Sequence, residues 1–430
     1  MREMKDSGIE WIGQIPERWP LRRAKTLFAQ RNSKGNKIEV LLSPTQKYGV
    51  VPQSQLEGVV QVKEDTDLQM FKTIHKGDFV ISLRSFQGGF EYSLYEGVCS
   101  PAYQVFYPTT PICALYYRYL FKSQSFISKM NNLTVGIREG KNIQYIDFAN
   151  SQIPVPSIAE QERIAAFLDA ECAEIDAVLE KTRASIEEYK KLKQAIITQT
   201  VTKGIRGDRP MKDSGIEWIG DIPAEWRKTQ LRHCAAIKSG ITLGKKYEKT
   251  DSLVERPYLR VANVQDGYVD LSVLTTIEVT QDEDLKYRLR AGDVLMTEGG
   301  DRDKLGRGCV WHGEIEPCLH QNHIFAVQTS KDTLLPEFLE YLTVSDVGRL
   351  YFDVTAIKTT NLACTSSSKV LAFTIPLPSV EEQAEIVEAL NTKCADIDAL
   401  IAKKQQYLTE IETYKKSLIY EYVTGKKEVV

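Results

Sequence analysis

The stretch IPVPSIAEQERIAAFLDAECAEIDAVLEKTRASIEEYKKLKQAIITQTVTK, residues 153–203, decides how the chain is organised. From residue 164 to residue 197, apolar residues recur at alternating spacings of three and four, the pattern of a helix with one buried stripe. Pro156 and Ser157 precede the pattern and favour a helix start at this point. The stretch therefore predicts one long α-helix with a single apolar face.

A second copy of this pattern lies 222 residues further along the chain and begins with IPLPSVEEQAEI at residue 375. Because neither helix has another apolar partner nearby in sequence, we expect the two to pack against each other as an antiparallel coiled coil. Such a pair would hold the segments that precede the helices at a set distance. The predicted core of the two spacer helices comprises Leu168, Ile175, Leu179, Ile186, Ile196, Leu390, Ile397, Ile401, Leu408 and Leu418.

A different motif is also repeated, since MKDSGIEWIGQIPERW at 4–19 returns as MKDSGIEWIGDIPAEW at 211–226 with 13 of 16 positions identical. These copies are 207 residues apart, so the second half contains 15 additional residues between its two motifs. A duplicated frame around different inserts suits a protein that presents two recognition surfaces. The predicted segments are a first recognition domain at 1–152, a first spacer helix at 153–203, a second recognition domain at 204–374 and a second spacer helix at 375–430.

The composition is ordinary for a soluble globular chain of several domains, with 430 residues of which 42% are hydrophobic and 26% charged. No apolar run approaches the length of a membrane span, and the start has no apolar leader. We expect a cytoplasmic protein without a membrane partner. The eight cysteines include no CxxC pair, which favours free thiols over a disulfide framework or a zinc ribbon.

Positive charge is concentrated at the start of each half, although the net charge of the chain is only −3. Residues 4–36 carry +4 and residues 227–260 carry +6, whereas residues 160–200 carry −3. A single basic run is most simply a solvated surface. Its recurrence at equivalent places in both halves favours a surface that binds nucleic acid.

The paired KDSGIEWIG and IP-x-P-S…EQ motifs resemble those of the specificity subunit of type I restriction and modification systems, over essentially the whole chain. The resemblance implies an α/β (α+β) fold, in which two mixed α/β target-recognition domains are separated by two long antiparallel helices with pseudo-twofold symmetry. Each domain would read one half of a split sequence in double-stranded DNA. Two methyltransferase (modification) subunits would dock on the frame, and restriction subunits with nuclease and translocase activity would join them.

Both inserts contain a Gly-Asp marker, HKGDFVISLR from His75 and RAGDVLMTEG from Arg290. A Gly-Asp pair before a short β-branched run predicts a tight turn that leads into a strand. The marker therefore predicts one shared fold for the two inserts. We expect Asp78 and Asp293 to shape the turn and not to take part in catalysis.

The loops after these markers are polar and rich in glycine, and base reading requires Arg or Lys for guanine and Asn or Gln for adenine. The resemblance adds a second contacting loop shortly before each spacer helix. Phosphate contact and simple exposure are the alternatives for each residue. The candidates are Arg84, Gln87, Arg138, Lys141 and Tyr145 in the first domain, and Arg302, Lys304, Arg307, Gln321, Asn322, Lys358, Thr360 and Asn361 in the second. Further candidates lie in the basic run of the second domain, where Lys238, Lys245 and Lys246 suit phosphate and Arg260 completes the DNA-binding set.

Two apparent catalytic or metal motifs are weak. The run CVWHGEIEPCLHQNH at 309–323 contains five potential zinc ligands, but their spacing matches no zinc pattern and favours a structural role. GITLGKK at 240–246 lacks the spacing of a P-loop.

The chain also lacks the Asn-Pro-Pro or Asp-Pro-Pro string, followed by an aromatic residue, of an adenine methyltransferase. Its acidic run at 282–284 is best explained as a solvated turn, not as a nuclease centre. We therefore expect a non-catalytic DNA-recognition subunit of a site-specific adenine methyltransferase and endonuclease complex, without metal or cofactor. The alternatives are a coiled-coil adaptor that binds only proteins, and the specificity subunit of a related multi-subunit adenine methyltransferase or nuclease.

Overall fold

A computed structural model describes residues 2–34, 40–56, 68–82, 89–133, 143–248, 251–300, 305–358 and 363–429. The chain forms two compact units. The first consists of Met1–Arg183 with Gln406–Val430, and the second is Ala184–Gln405. Two long helices, Ile158–Lys203 and Val380–Val423, each contribute one portion to each unit.

The first unit contains short strands, three short helices and the first portion of a long one. Its strands are β1 Met4–Asp6, β2 Gln14–Pro16, β3 Leu21–Arg23, β4 Phe28–Arg31, β5 Leu42–Thr45, β6 Gly49–Pro52, β7 Lys72–Ile74, β8 Phe79–Ile81, β9 Phe90–Tyr92, β10 Gly97–Cys99, β11 Gln104–Pro108 and β12 Gln152–Pro154. Its helices are α1 Ala114–Lys122, α2 Gln124–Leu133, α3 Tyr145–Asn150 and the start of α4 Ile158–Lys203.

The second unit also combines short strands and short helices, and its strands range from two to seven residues in length. Its strands are β13 Met211–Asp213, β14 Asp221–Pro223, β15 Arg227–Gln230, β16 Ala235–Ser239, β17 Leu253–Leu259, β18 Thr275–Thr280, β19 Val294–Thr297, β20 Gly299–Gly300, β21 Gly308–Val310, β22 Leu319–His320, β23 Ile324–Thr329, β24 Ile357–Lys358, β25 Ala363–Cys364 and β26 Thr374–Leu377. Its helices are α5 Gln281–Tyr287, α6 Pro336–Val344, α7 Asp346–Thr355, α8 Ser367–Ala372 and the start of α9 Val380–Val423.

The central sheets of the two units have the same design. Four antiparallel strands pair in the order β4-β11-β8-β9 in the first unit and β16-β23-β19-β21 in the second. In both, the strand that follows the Gly-Asp marker pairs with the last strand of its sheet in chain order, β11 or β23, and with one other, β9 or β21. The mixed α/β fold predicted for both inserts is therefore confirmed.

Each insert is closed by a two-stranded ribbon that belongs to the frame. Strand β3 pairs with β12, and β15 pairs with β26, both antiparallel. Each ribbon joins the residues that follow the first motif to the residues that open the second motif. The two ends of an insert are therefore held together immediately before the spacer helix begins.

The core of the first unit is aromatic. Phe28 packs edge-on against Phe106 and Tyr117, with ring centroids 5.6 and 5.3 Å apart. Phe106 lies 4.6 Å from Phe148 of α3, measured between ring centroids. Edge-to-face aromatic pairs add to the free energy gained by burying their area. The helices of the insert are thereby fixed to the central sheet.

The portions of α4 and α9 within the first unit run antiparallel. The rings of Phe167 and Tyr422 are 4.4 Å apart between centroids. Further along α4, Asp176 accepts a hydrogen bond from Lys415 at 2.6 Å. As the residue number rises on one helix, the partner number falls on the other, which is the signature of antiparallel packing.

The second unit contains the equivalent arrangement. Lys193 of α4 pairs with Asp398 of α9 at 2.7 Å, and Lys404 lies 5.6 Å from the centroid of the Tyr189 ring. The Lys193 and Asp398 pair is the counterpart of the Lys415 and Asp176 pair, because each residue is displaced by 222 positions. Antiparallel packing of the two helices is therefore observed within each unit, as the sequence predicts.

The predicted core of the spacer helices lies on the packed side of each helix. Six of its ten residues are buried, and the other four are partly buried. The buried members are Leu168, Leu179, Ile186, Leu390, Ile397 and Leu418, and the partly buried ones are Ile175, Ile196, Ile401 and Leu408. Cys172 and Cys394, which are also buried, occupy equivalent places on the same stripe.

The eight cysteines are all free. Within the described part of the chain, no helix combines the length and the apolar character that a membrane crossing requires.

A buried carboxylate joins the frame motif to the start of each long helix. In the first unit, the indole of Trp19 donates a hydrogen bond to Glu160 at 2.9 Å. Arg2 forms an ion pair with the same carboxylate, and its guanidinium lies 5.2 Å from the centroid of the Trp19 ring. Burial lowers the pKa of Arg2, although it does not remove its charge at neutral pH.

The second unit forms the same cluster from its own copies of the motifs. Trp226 donates to Glu382 at 2.9 Å, and Arg209 pairs with this carboxylate at 2.5 Å. The Arg209 guanidinium lies 5.1 Å from the Trp226 ring centroid. We call these two groups the frame clusters.

We expect Glu382→Ala to lower the free energy of unfolding of the second unit by about 3 kcal/mol, because the Trp226 indole loses its buried acceptor and the partly buried Arg209 keeps only the exposed Glu225 as a carboxylate partner among the described residues. Urea denaturation followed by tryptophan fluorescence measures the change. The matched control is Glu385→Ala, which removes an exposed ion pair with Arg206 and should cost less than about 1 kcal/mol. Equal effects of the two substitutions would contradict a special role for the frame cluster.

Candidate nucleic-acid interface

The Gly-Asp markers build the turns that lead into the central strands. Gly77 and Gly292 both have φ of +95°, a conformation that residues with a Cβ rarely adopt. The buried Asp78 carboxylate accepts the backbone N–H of His75 at 2.8 Å, and Asp293 accepts that of Arg290 at 2.9 Å. Both aspartates therefore close their own turns, which is the structural role expected for them.

The strand after the second marker ends where several segments of the second unit adjoin. Gly299 and Gly300 of β20 pair with β25, which in turn pairs with β24. The backbone N–H of Thr365 donates to the carbonyl of Glu298 at 2.7 Å. Residues 298–300 and 363–365, which belong to the two segments predicted to contact DNA in this unit, are therefore neighbours in the structure.

The turn between β22 and β23 completes this edge. Glu298 donates its backbone N–H to the carbonyl of His323 at 2.9 Å, and Asn322 donates to the carbonyl of Ile241 at 3.1 Å. Residues 298–300, 321–323 and 363–365 thus adjoin one another, and the turn at 321–323 contacts Ile241, the first residue of the segment 241–246; we call these four segments the second-unit edge. Segments far apart in sequence contribute polar groups to one surface, which is what base recognition requires.

The predicted residues of this edge differ in the exposure of their side chains and in the partners that these side chains already have. Gln321 and Asn322 are partly exposed, and the Gln321 amide oxygen accepts the Val261 N–H at 3.4 Å. Lys246 is exposed. Lys245 is also exposed but forms an ion pair with Glu283, which neutralises its charge locally.

Glu283 ties the segment around Lys245 to helix α5. It also accepts the Tyr247 hydroxyl at 2.9 Å, and with Thr280 it forms the capping box of α5. Its hydrogen bonds to Lys245 and Tyr247, together with the one from the Thr280 backbone, outweigh the effect of burial and lower its pKa. The acidic run at 282–284 therefore lies in helix α5 with Glu283 and Asp284 buried, so the solvated turn expected from the sequence is wrong.

Two candidates of the basic run, Lys238 and Arg260, and one of the loop after the second marker, Arg307, are less exposed than Lys246. The Lys238 ammonium donates to the carbonyl of Arg288 at 2.9 Å, and burial lowers its pKa. Arg260 is partly buried, and its backbone N–H donates to the Asn263 side chain at 2.8 Å. Arg307 is partly exposed just before β21. Lys238 is thus committed to an internal carbonyl and is not a free phosphate ligand.

In the first unit, Gln104 brings the flanks of the two predicted loops together. Its backbone is paired with Ile81, the last residue of β8, and its side-chain amide donates to the carbonyl of Ile143 at 3.3 Å. Its amide oxygen accepts the backbone N–H of Tyr145 at 2.6 Å. The Tyr145 hydroxyl donates to the Phe28 carbonyl at 2.9 Å, so this predicted DNA contact instead fixes α3 to the sheet.

Several predicted contacts lie outside the described residues. They are Arg84, Gln87, Arg138, Lys141, Arg302, Lys304, Thr360 and Asn361, and for Lys358 only the backbone strand is described.

The zinc alternative in the second unit finds no support in the geometry. Cys309 and Cys318 are buried in an apolar cluster, and burial raises the pKa of both thiols to about 12. Among the residues that the structure describes, no group of three or more His, Cys, Asp or Glu could hold a metal ion. His320 is fully buried, with Nε2 3.4 Å from the Lys238 carbonyl, and burial lowers its pKa to about 4.

Sequence reasoning missed two sets of residues. The first is the frame clusters, although the repeated Trp and the repeated Glu-Gln pair were visible in the motifs. The second is the contact between Glu298 and His323, whose facing atoms are 2.5 Å apart at the second-unit edge. No spacing in the sequence indicates this contact, because strand pairing creates it.

Comparison with known families agrees with this architecture. The family described as Type I restriction modification DNA specificity domain matches residues 12–188. The EcoKI specificity subunit of Escherichia coli K12 is 24% identical over 315 residues, which are 71% of this chain and 64% of that protein. The MjaVIII specificity subunit of Methanocaldococcus jannaschii is 27% identical over 303 residues, which are 68% of this chain and 66% of that protein. The matched stretches thus span less than two thirds of these relatives.

Solved structures show the same fold. The HsdS subunit from Thermoanaerobacter tengcongensis aligns with a TM-score of 0.52 at 16% identity, over 99% of this chain and 100% of that chain. A chain solved for complex assembly and conformational transition of the type I R-M system aligns with a TM-score of 0.71, also at 16% identity, over 95% and 98%.

The fold and the paired frame motifs define a protein of two α/β units linked by two long helices. Residues 12–188 match the type I specificity-domain family, and the chain is similar to specificity subunits of type I restriction enzymes, in agreement with the resemblance of its motifs.

The pKa of His320 is about 4 in the folded protein, compared with about 6.5 in an unfolded chain. As the pH falls below about 6.5, the unfolded chain therefore binds a proton at this residue before the folded protein does, which favours unfolding. We expect this residue to reduce the free energy of unfolding by about 3 kcal/mol between pH 7 and pH 4. His320→Gln should remove that part of the decline, measured by urea denaturation at several pH values. The control is His312→Gln at an exposed position, which should leave the decline unchanged. A decline that is the same in wild type and His320→Gln would contradict the assignment.

Proposed function

We propose that the chain is the DNA-specificity subunit of a type I restriction-modification complex and recognises a DNA target in two separate parts. The observation that carries this proposal is the duplicated frame, which supports two inserts with the same central sheet and different loops. The segments 1–152 and 204–374 act as the two target-recognition domains. Each reads one half of the target.

We assign the proposed DNA contacts to the polar segments predicted in each insert and to the basic run of the second domain. In the second domain, the second-unit edge supports this assignment, because it collects amide, hydroxyl and basic groups from four segments. Tyr145 and Lys238 serve the fold, and the proposal assigns them no base. The proposed contacts are Arg84, Gln87, Arg138 and Lys141 in the first domain, and Lys245, Lys246, Arg260, Arg302, Lys304, Arg307, Gln321, Asn322, Lys358, Thr360 and Asn361 in the second.

The spacer segments 153–203 and 375–430 set the unread gap between the two half-targets. The matched ion pairs within the two units support this role, since equivalent residues make equivalent contacts along both helices. The apolar stripe keeps the helices in contact over several turns. In this proposal, the length of the helices determines the number of base pairs between the two half-targets.

The proposed partners are two methyltransferase subunits and, where the system includes them, restriction subunits with nuclease and translocase activity. Two nearly identical frame motifs offer the same docking surface twice, which suits two copies of one partner. In this proposal the chain contributes recognition, and its partners perform adenine methylation and DNA cleavage. Its place of action is the cytoplasm, where the chromosome is accessible.

DNA binding by the purified chain, alone and with its methyltransferase partner, tests this function. We expect sequence-selective binding of fluorescent duplexes that weakens steeply with salt. Lys246→Ala should lower affinity similarly for all duplexes and reduce the salt slope by about one. Lys331→Ala is the matched control, because this exposed lysine lies beside Gly292 at the opposite end of the sheet. Salt-insensitive or absent binding would instead favour the adaptor that binds only proteins, and methyl transfer by this chain alone would exclude a non-catalytic subunit.

The spacer role predicts a change in target geometry. Inserting about four residues into both helices, near Glu187 and Thr409, adds about 6 Å and should lengthen the unread gap by roughly two base pairs. Both half-sequences should be retained. Sequencing of methylated adenines in a host with the complete system reads the result. An unchanged gap would contradict the spacer role, whatever the affinity of the variant.

A further inference from the structure

His323 lies in the middle of the second-unit edge. It occupies the turn between β22 and β23, directly after Gln321 and Asn322, and its side chain is 54% exposed. It belongs to the run that suggested zinc, yet the buried members of that run point to no shared metal site. The exposed ring is therefore available for another purpose.

Glu298 holds His323 by both backbone and side chain. Its backbone N–H donates to the His323 carbonyl at 2.9 Å, and its Oε2 lies 2.5 Å from the ring Nδ1. The Glu298 carbonyl in turn accepts the N–H of Thr365 at 2.7 Å. The ring is thus anchored where the loop after β19, the turn at 321–323 and the segment before α8 adjoin.

This contact determines which ring nitrogen carries the proton. An ionised carboxylate can only accept hydrogen bonds, so Nδ1 of His323 is the donor in its contact with Glu298. In the neutral imidazole, the opposite nitrogen Nε2 then has a free lone pair and is an acceptor. In its neutral form, the anchored ring therefore offers one acceptor of defined position at an exposed surface.

We propose that His323 is a specificity-determining residue of the second recognition domain, whose Nε2 accepts a hydrogen bond from the exocyclic amino group of an adenine or a cytosine. Glu298 is the positioning residue that selects the required tautomer. The inference rests on the proposed DNA-recognition function and deepens it, because it names a contact and the chemistry of the base.

The other DNA groups fit this acceptor less well. Phosphate oxygens, guanine N7 and O6, and thymine O4 are all acceptors, so a neutral Nε2 has no proton to donate to them. Adenine N6 and cytosine N4 are the donors exposed in the major groove. The geometry therefore favours these two bases at the position that His323 faces.

Selection from a library of randomised duplexes tests the inference, with the full chain bound to its methyltransferase partner and the enriched duplexes sequenced. We expect His323→Ala to retain the split target and its first half, and to lose about fivefold or more of the preference at one adenine or cytosine in the second half. Glu298→Ala should relax the same position towards guanine, because the ring can then present Nε2–H. A purely structural role would not predict that change.

The matched control is His312→Ala in the same domain. His312 is exposed and follows β21, whose register with β19 places it at the end of the sheet opposite to the edge. Its target should equal that of the wild type. Thermal unfolding of each variant complex checks folding. If His323→Ala does not fold, His323→Gln replaces it and should shift the position towards adenine, which glutamine reads through two hydrogen bonds.

Two outcomes would overturn the inference, and they are distinguishable. If the wild-type complex enriches a split target and the folded His323 variant enriches the same target with the same preferences, His323 is not a reader while the proposed function stands. If the wild-type complex enriches no target, the proposed DNA recognition itself fails and the inference fails with it.

Discussion

Glu160 and Glu382 each lie in the first turns of a long helix and accept a hydrogen bond from the indole of a frame tryptophan, at 2.9 Å in both units. Both carboxylates are almost fully buried, so each requires its arginine as a counter-charge. Negative charge is also favourable near the start of a helix. This hydrogen bond therefore joins the motif that contains KDSG to the IP-x-P-S…EQ motif in each half, and an arginine two residues before the first motif supplies the counter-charge.

The residue after each glutamate attaches the recognition domain to the same helix. The Gln161 amide oxygen accepts the N–H of Cys113 at 2.9 Å, and that of Gln383 accepts the N–H of Leu335 at 2.8 Å. Cys113 and Leu335 are the residues that precede α1 and α6, so each glutamine satisfies an amide at a helix start. An insert can thus change its loops without losing its attachment, since the frame supplies the side chain and the insert only a backbone N–H.

Tyrosines of the inserts add a further contact that differs between the units. Tyr119 donates its hydroxyl to Asp169 at 2.6 Å, and Tyr341 donates to Asn391 at 2.7 Å, at positions displaced by 222 residues. Arg118 also pairs with Asp169. In the second unit Glu340 takes the place of Arg118, and Asn391 takes the place of Asp169. A neutral amide is more favourable than a carboxylate beside Glu340. Burial raises the pKa of Glu340 to about 7, so a second carboxylate nearby would cost further free energy. The long helices therefore place a negative side chain, Asp169, beside Arg118 and a neutral one, Asn391, at the position equivalent to it in the unit that contains Glu340.

The sequence by itself determined the two halves, the two long helices, their apolar stripe and the shared turn that opens each central sheet, because repetition, 3.6-residue periodicity and Gly-Asp turn chemistry are local properties of the chain. It also indicated where polar loops would cluster. Only the tertiary structure decided that Tyr145 and Lys238 serve the fold, that a carboxylate from each helix anchors a tryptophan more than 140 residues away, and that Glu298 meets His323. Strand pairing and the satisfaction of buried charges bring these groups together, and neither constraint leaves a signal in the spacing of residues along the chain.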